Sequence, residues 1–344
     1  MSPDSTLNCG RSYCIISLFA IFIVTTLPGC SQTTPPESDA ASPKVQIALN
    51  WYPETEHGGF IAADAEGYYK QQGLDVEILP GDTNAPSLVI SELAAGRIEF
   101  AVSDADNIVK ARANDVPVVA ILAPLQNTPR CIMVHEESGI TRLEDLANVE
   151  LAISEGRPFA QYLMLKLPLK NVTRVPYNGL VGEFMTKKSF AQQAFVFSEP
   201  FLAKEQGASP RALMVSEIGF NPYASVLVTT EKNILENPER VQRVVNAAWR
   251  GWKSYLDAPE KTNEAIGKMN SNMSAGALQY GADTMKDLCH SADGEPEFGM
   301  TQKRWVTLVE QIEEIGSMEK GAVRAEECFN DSFLKKAAAE FGKL

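Results

Sequence analysis

Seven side chains in this sequence have the types and settings to bind a small molecule: Trp51, His57, Ser103, Asp104, Tyr177, Glu199 and Tyr223. An indole at Trp51 can stack on an aromatic heterocycle at little entropic cost; plugging the core is the other reading. The Glu199 carboxylate can accept hydrogen bonds from ring N–H or amino groups, or serve as a helix N-terminal acid ahead of Pro200. His57, before Gly58 and Gly59, suits either a helix cap or a donor. Tyr177 and Tyr223 could stack, bond or merely pack. Ser103 or Asp104 is expected to cap the following helix, with Asp104 also able to read an amine. Gly156 and Arg157 open a further helix and suit an anionic group, although a solvated surface charge is as good an account of Arg157.

Cys30 offers a different chemistry. Arg11 precedes an uncharged apolar run over 14–26, too short to span a bilayer comfortably and of the length of a signal h-region. The run ends at Leu27-Pro28-Gly29-Cys30, which resembles a bacterial lipobox: small residues admit a peptidase, and the thiol carries a diacylglyceryl group. The expectation is a cleaved lipoprotein signal over 1–29, against an ordinary signal peptide or an uncleaved anchor. Residues 31–43 are rich in Ser, Thr, Pro and acids, a composition that buries no core and acts as a flexible tether.

The remaining chain is long enough for two medium domains. Its net charge of −13 argues against nucleic acid as a partner. His57, His135 and His290 do not cluster, and Cys131, Cys289 and Cys328 have no metal-binding spacing, so neither a metal nor a cofactor is expected. Cys289 and Cys328 are read either as a disulfide or as buried free thiols. No Gly-x-Gly-x-x-Gly follows the first strand, no Gly-x-Ser-x-Gly elbow occurs, and no catalytic residue is assigned.

To position these residues the chain needs an α/β scaffold. Strands are expected at 45–49, 75–79, 98–102 and 118–123, with helices at 58–66, 85–95 and 104–113 between them. Such crossovers imply parallel strands covered on both faces. A second alternation carries strands at 131–134, 150–153, 172–175, 194–197 and 212–215, helical pieces at 142–146, 158–166 and 179–188, and a further strand at 224–229. Helices follow, one from Pro238 to Tyr255 with Asn237 as its cap. In open α/β sheets, ligands gather outside the carboxyl ends of strands, which is where the seven residues fall.

The run 48–60 (ALNWYPETEHGGF), followed by 66–76 (EGYYKQQGLDV), resembles the opening of bacterial ABC-transporter substrate-binding proteins of the thiamine-pyrimidine-precursor type, relatives of the sulfonate, taurine and nitrate binding proteins. The likeness continues through 93–102 (LAAGRIEFAV), 116–119 (VPVV), 138–146 (SGITRLEDL), 197–200 (FSEP) and 238–252. It implies a two-lobed periplasmic-binding-protein type II fold, each lobe a mostly parallel sheet flanked by helices. Lobe one would comprise 44–125 and 224–344, and lobe two 126–223, closing on ligand by hinge motion. It further implies a monomer, exported and lipid-anchored, that delivers a small aromatic N-heterocycle to ABC permease and ATPase subunits. Sulfonate, taurine, nitrate or flavin ligands, and sensing rather than import, stay open. Synthase enzymes of the same superfamily carry a cysteine-rich cluster where this chain has Asn221-Pro-Tyr-Ala-Ser-Val226, so an enzyme is disfavoured.

Overall fold

A computed structural model describes residues 44–291 and 297–342. The expected signal segment, Cys30 and the 30–43 tether lie outside the described residues. Among the described residues no helix is long and apolar enough to cross a membrane.

The chain opens with strand β1 (Val45–Ala48), helices α1 (Gly58–Ala65) and α2 (Tyr68–Gln71), β2 (Val76–Leu79), α3 (Ala85–Ala94), β3 (Phe100–Ser103), α4 (Ala105–Arg112) and β4 (Val118–Leu122). A second set follows: β5 (Arg130–His135), β6 (Glu150–Ala152), α5 (Pro158–Lys166), β7 (Thr173–Val175), α6 (Gly182–Thr186), β8 (Phe190–Phe195), α7 (Glu199–Glu205) and β9 (Pro210–Met214). β10 (Val226–Thr230) then returns to the first set. After it come α8 (Glu231–Glu236), α9 (Pro238–Asp257), α10 (Glu260–Met269), α11 (Ala275–Leu288), α12 (Gln302–Glu314) and α13 (Ser332–Phe341).

Two five-stranded sheets result, ordered β2-β1-β3-β10-β4 and β7-β6-β8-β5-β9. They share one plan. In each, one strand runs against the other four, and it is the strand made by chain that has just crossed from the other sheet: β10 in the first, β5 in the second. The expectation of parallel pairing therefore holds for β1 with β2 and β3 and for β6 with β7 and β8, and fails elsewhere. β4 never touches β3, because β10 separates them.

Two local expectations also change. The strand expected at 194–197 is β8, which begins at Phe190 and ends in a turn closed by Ser198 N–H on the Phe195 carbonyl. Gln192 and Gln193 masked its first half, yet Gln192 is fully buried. Asn237 makes no side-chain cap; its amide donates to Asn233 Oδ1 instead.

α9 buries the apolar stripe Val241, Val244, Val245, Ala248 and Trp252 in the core beside the first sheet. α1 lies against it at a distance only glycines permit. A Cβ on Gly251 would stand 2.1 Å from the Gly59 carbonyl oxygen, and one on Gly59 would stand 2.1 Å from the Trp252 ring. Cys131, Cys289 and Cys328 are buried free thiols. Cys289 and Cys328 belong to different core clusters, so the disulfide reading is set aside.

The two crossing segments are laced together. Leu125 bridges Ala224, and Thr128 N–H donates to Asn221 Oδ1 at 2.7 Å. Arg304, on α12, donates to the carbonyls of Gln126 (2.5 Å) and Asn221 (2.9 Å).

Candidate functional site

The loop after β1 turns at Trp51 and runs through Glu54 to a single 3-10 turn, Thr55–His57, that leads into α1. Several contacts fix its path. Gly81 N–H donates to the Trp51 carbonyl at 3.0 Å, an approach so close that a Cβ on Gly81 would meet backbone at 2.5 Å. Asn270 donates to the Pro53 carbonyl at 3.0 Å. His57 is wholly buried; its Nδ1 accepts from the Glu54 N–H and its Nε2 bonds Asn50 Oδ1 at 2.9 Å. That pattern puts the proton on Nε2. Burial pushes His57 down to about 3, so its 3.7 Å approach to Glu56 is not an ion pair.

Behind the loop runs a continuous polar chain at the base of both crossing segments. The Ser225 hydroxyl donates to Glu56 Oε2 at 3.2 Å, and Ser225 N–H reaches Asp104 Oδ1 at 3.4 Å. Ser225 is a buried non-glycine residue at φ +49°, a strained conformation that these two acceptors hold in place. Asp104 Oδ2 accepts from Arg130 at 2.7 Å, and that guanidinium is clamped between the rings of Phe159 and Phe195. Asp106 is buried alongside. Burial, then the Asp104 charge, raises Asp106, and burial and Asp104 likewise push Glu56 up to about 8.

In front of this layer, four side chains keep part of their surface exposed: Trp51, Glu54, Tyr177 and Glu199. Tyr177 follows β7 and Glu199 opens α7, so these two belong to the second sheet's lobe and the other two to the first. The Tyr177 hydroxyl donates to Glu199 Oε1, and Phe195 N–H donates to Glu199 Oε2 at 2.8 Å. Burial raises Glu199 and Tyr177 above their ordinary values. Glu54 is raised well above its own, by burial and then by the charges of Glu56 and Glu199, with the Trp51 indole opposing the shift.

The fold thus brings Trp51, Asp104, Tyr177 and Glu199 into one neighbourhood. Other candidates land elsewhere. Tyr223 is buried; its hydroxyl accepts from Thr301 N–H at 3.0 Å and Arg304 lies 3.8 Å over its ring, so the side chain packs the crossing segments. His57 does not cap α1; its Nδ1 accepts from the Glu54 N–H and closes a capping box on the 3-10 turn before it, and neither Ser103 nor Asp104 caps α4. Asp104 is drawn away by Arg130, a stronger charged partner, and the buried Ser103 hydroxyl accepts from the Asn107 amide at 3.5 Å. Gly156 and Arg157 line a cavity of about 940 Å³, with Ser87 and Ile90 of α3 and Asn107 and Lys110 of α4. This cavity opens beside the acidic layer and does not include Trp51 or Glu199.

Sequence reading missed Glu54, Glu56, Asp106, Arg130 and Ser225. The Glu-x-Glu-His run directly after a ligand-facing strand end was the available signal for the first two.

A model of the family described as NMT1/THI5 like matches residues 54–262. The chain is 23% identical over 273 residues to the riboflavin-binding protein RibY of Chloroflexus aurantiacus, covering 72% of this chain and 74% of that one. It is 32% identical over 139 residues to a formylaminopyrimidine-binding protein of Halalkalibacterium halodurans, covering 40% and 41%. It is also 23% identical over 257 residues to the 4-amino-5-hydroxymethyl-2-methylpyrimidine phosphate synthase THI13 of Saccharomyces cerevisiae, covering 65% and 73%. Among solved structures, a putative periplasmic sulfonate-binding protein SsuA from Methylobacillus flagellatus superposes with a TM-score of 0.65 at 15% identity, covering 87% of this chain and 94% of that one. Likenesses of this kind identify the periplasmic-binding-protein fold.

Proposed function

The chain belongs to the NMT1/THI5-like family, and from that premise we propose that it is the solute-binding component of an ABC importer, taking a small aromatic N-heterocycle between its lobes. The observation that carries this reading is that part-exposed Trp51 and Glu54 of one lobe stand close enough to Tyr177 and Glu199 of the other for their charges to be felt across the gap. An indole face suits a flat ring, and carboxylates suit its ring N–H and amino groups. The formylaminopyrimidine-binding relative points to the same chemistry. In this reading the lobes are 44–125 with 224–344, and 126–223. The protein works as a monomer, anchored through Cys30, and docks on permease and ATPase subunits.

The test is calorimetric titration with 4-amino-5-hydroxymethyl-2-methylpyrimidine, joined to native mass spectrometry of protein purified from its host. Micromolar binding and a co-purified heterocycle are expected; a co-purified sulfonate with no heterocycle binding would sink the assignment. Cys30→Ala should move the protein from the membrane fraction to the soluble one, and unchanged partition would remove the anchor.

A flavin is the second reading. RibY aligns over 72% of this chain, and the 940 Å³ cavity has room for a ligand larger than a pyrimidine. Riboflavin in the same titration decides between them. A synthase activity has less support, because 221–226 has no cysteine.

A further inference from the structure

Helix α11 holds glycine at 276, in its first turn, and at 281, in its middle, although glycine is a poor helix former. Each stands where another element comes close. A Cβ on Gly276 would lie 3.2 Å from Phe201 Cζ, and one on Gly281 would lie 2.5 Å from Thr55 Oγ1. Phe201 belongs to α7, which Glu199 opens, and Thr55 directly follows Glu54. One helix of the first lobe therefore touches the elements that carry both halves of the candidate site. Tyr280 makes the firmer part of this contact, one turn on from Gly276 and on the same face. Its ring stacks on Phe201 with centroids 4.9 Å apart, and its hydroxyl donates to the Val196 carbonyl at 3.2 Å. Val196 N–H in turn donates to the Pro129 carbonyl at 2.9 Å, which fixes the acceptor to the second lobe beside the first crossing segment. The far end of α11 is tied to that same segment: the Leu288 carbonyl accepts from the N–H groups of Gln126 (2.8 Å) and Asn127 (2.9 Å).

We propose that Tyr280 is a positioning residue: it latches α7 to α11 across the lobes and so sets the separation of Trp51 and Glu54 from Tyr177 and Glu199. The inference goes beyond the solute reading and rests on it only for the affinity measurement below. Residues 280 and 288 are about 12 Å apart along an α-helix, so a rotation of the lobes about the crossing segments acts at Tyr280 on a long arm. Opening the cleft draws Phe201 and Val196 away from the phenol; closing it restores the stack and the hydrogen bond. Tyr280 thus acts through α7 rather than on the solute, and part of the drive to close comes from a contact between the lobes themselves. Gly281 completes the device. With no side chain there, Thr55 seats directly on α11, and the loop that carries Trp51 and Glu54 is held by the same helix that holds α7.

The experiment compares the full wild-type chain in detergent with Tyr280→Phe, which keeps the stack and loses the hydroxyl, and Tyr280→Ala, which loses both. Amide hydrogen exchange is followed first with no solute added. Tyr280→Ala should speed exchange in α7 and in residues 51–57 while α9 stays as protected as in the wild-type chain, and Tyr280→Phe should fall between. Calorimetry with 4-amino-5-hydroxymethyl-2-methylpyrimidine and with riboflavin follows. For whichever probe the wild-type chain binds, Tyr280→Ala should weaken affinity about tenfold through a smaller closed population, and Tyr280→Phe should recover most of it. Exchange in α7 unchanged by Tyr280→Ala overturns the proposal. So does faster exchange throughout, α9 included, which makes Tyr280 a residue of general stability. Affinity unchanged in Tyr280→Ala overturns it too and leaves the solute reading intact. If neither probe binds the wild-type chain, the solute reading falls, and the latch stands or falls on the exchange pattern.

Discussion

Glu56 and His57 are neighbours in sequence, both wholly buried, and they bend stability in opposite directions with pH. Folded Glu56 keeps a proton up to about 8 that the unfolded chain sheds near 4.5, so stability falls as pH rises through that window. Folded His57 refuses a proton until about 3 that the unfolded chain takes near 6.5, so stability falls as pH drops between them. Glu56→Gln keeps an oxygen for the Ser225 hydroxyl and removes the alkaline loss. Its melting temperature should exceed that of the wild-type chain by roughly 5 °C near pH 8.5, with little gain near pH 5, read by scanning calorimetry. A gain independent of pH would disprove the assignment. At this scale the sequence was half legible. Trp51, Tyr177 and Glu199 could be picked out as candidates because each sits just past a strand or at a helix start. Arg130 and Asp106 could not, because their meaning comes from Asp104, which the fold alone brings to them. Tyr223 misled because nothing near it announces that Arg304 will cover its ring.

Among the elements, α1 and α9 are in contact because Gly58, Gly59 and Gly251 permit it, and the loop that carries Trp51 and Glu54 leads into α1. Gly251→Ala would drive a methyl into the Gly59 carbonyl at 2.1 Å. It should cost about 1–3 kcal/mol or more in urea unfolding, and should weaken ligand through displacement of Trp51 and Glu54. An unchanged midpoint would show that the helices can separate freely. α9 was legible nearly to its ends, since its stripe and Pro238 are local signals. Strand direction was not. Whether β4 lies beside β3 or beyond an intruding β10 depends on chain far away in sequence, and no periodicity encodes it. β8 was shortened in the reading for a related reason: Gln192 looks exposed until the sheet buries it.

For the whole molecule, the relation between lobes is held at the crossing segments by Arg304, which ties Gln126 to Asn221. Arg304→Ala leaves two carbonyls without this charged donor and strips cover from Tyr223. A loss of roughly 2–3 kcal/mol is expected, together with a larger radius of gyration in X-ray scattering. A compact, fully stable variant would show that the bonds of Asn221 to Thr128 N–H and to Asn127 Oδ1 suffice. Lobe two was readable as a second alternation of strands and helices. The lacing was not, since Arg304 lies in a helix whose sequence gives no hint of a hinge.

The reversed strand in each sheet also sets an order of assembly. β5 to β9 are contiguous, so the second sheet is complete once about residue 214 has been made. The first sheet is then still in two pieces, β2-β1-β3 and a detached β4, and only β10 can join them. A chain cut after residue 225 should therefore protect amide protons in β5 to β9 while β1 to β4 exchange freely; equal protection in both would refute this order. The lobe that carries Trp51 and Glu54 closes last, against the entropy of a loop spanning the whole of its partner. Until then the first sheet stays open along β3, with a row of unpaired backbone groups waiting for a strand that is made last.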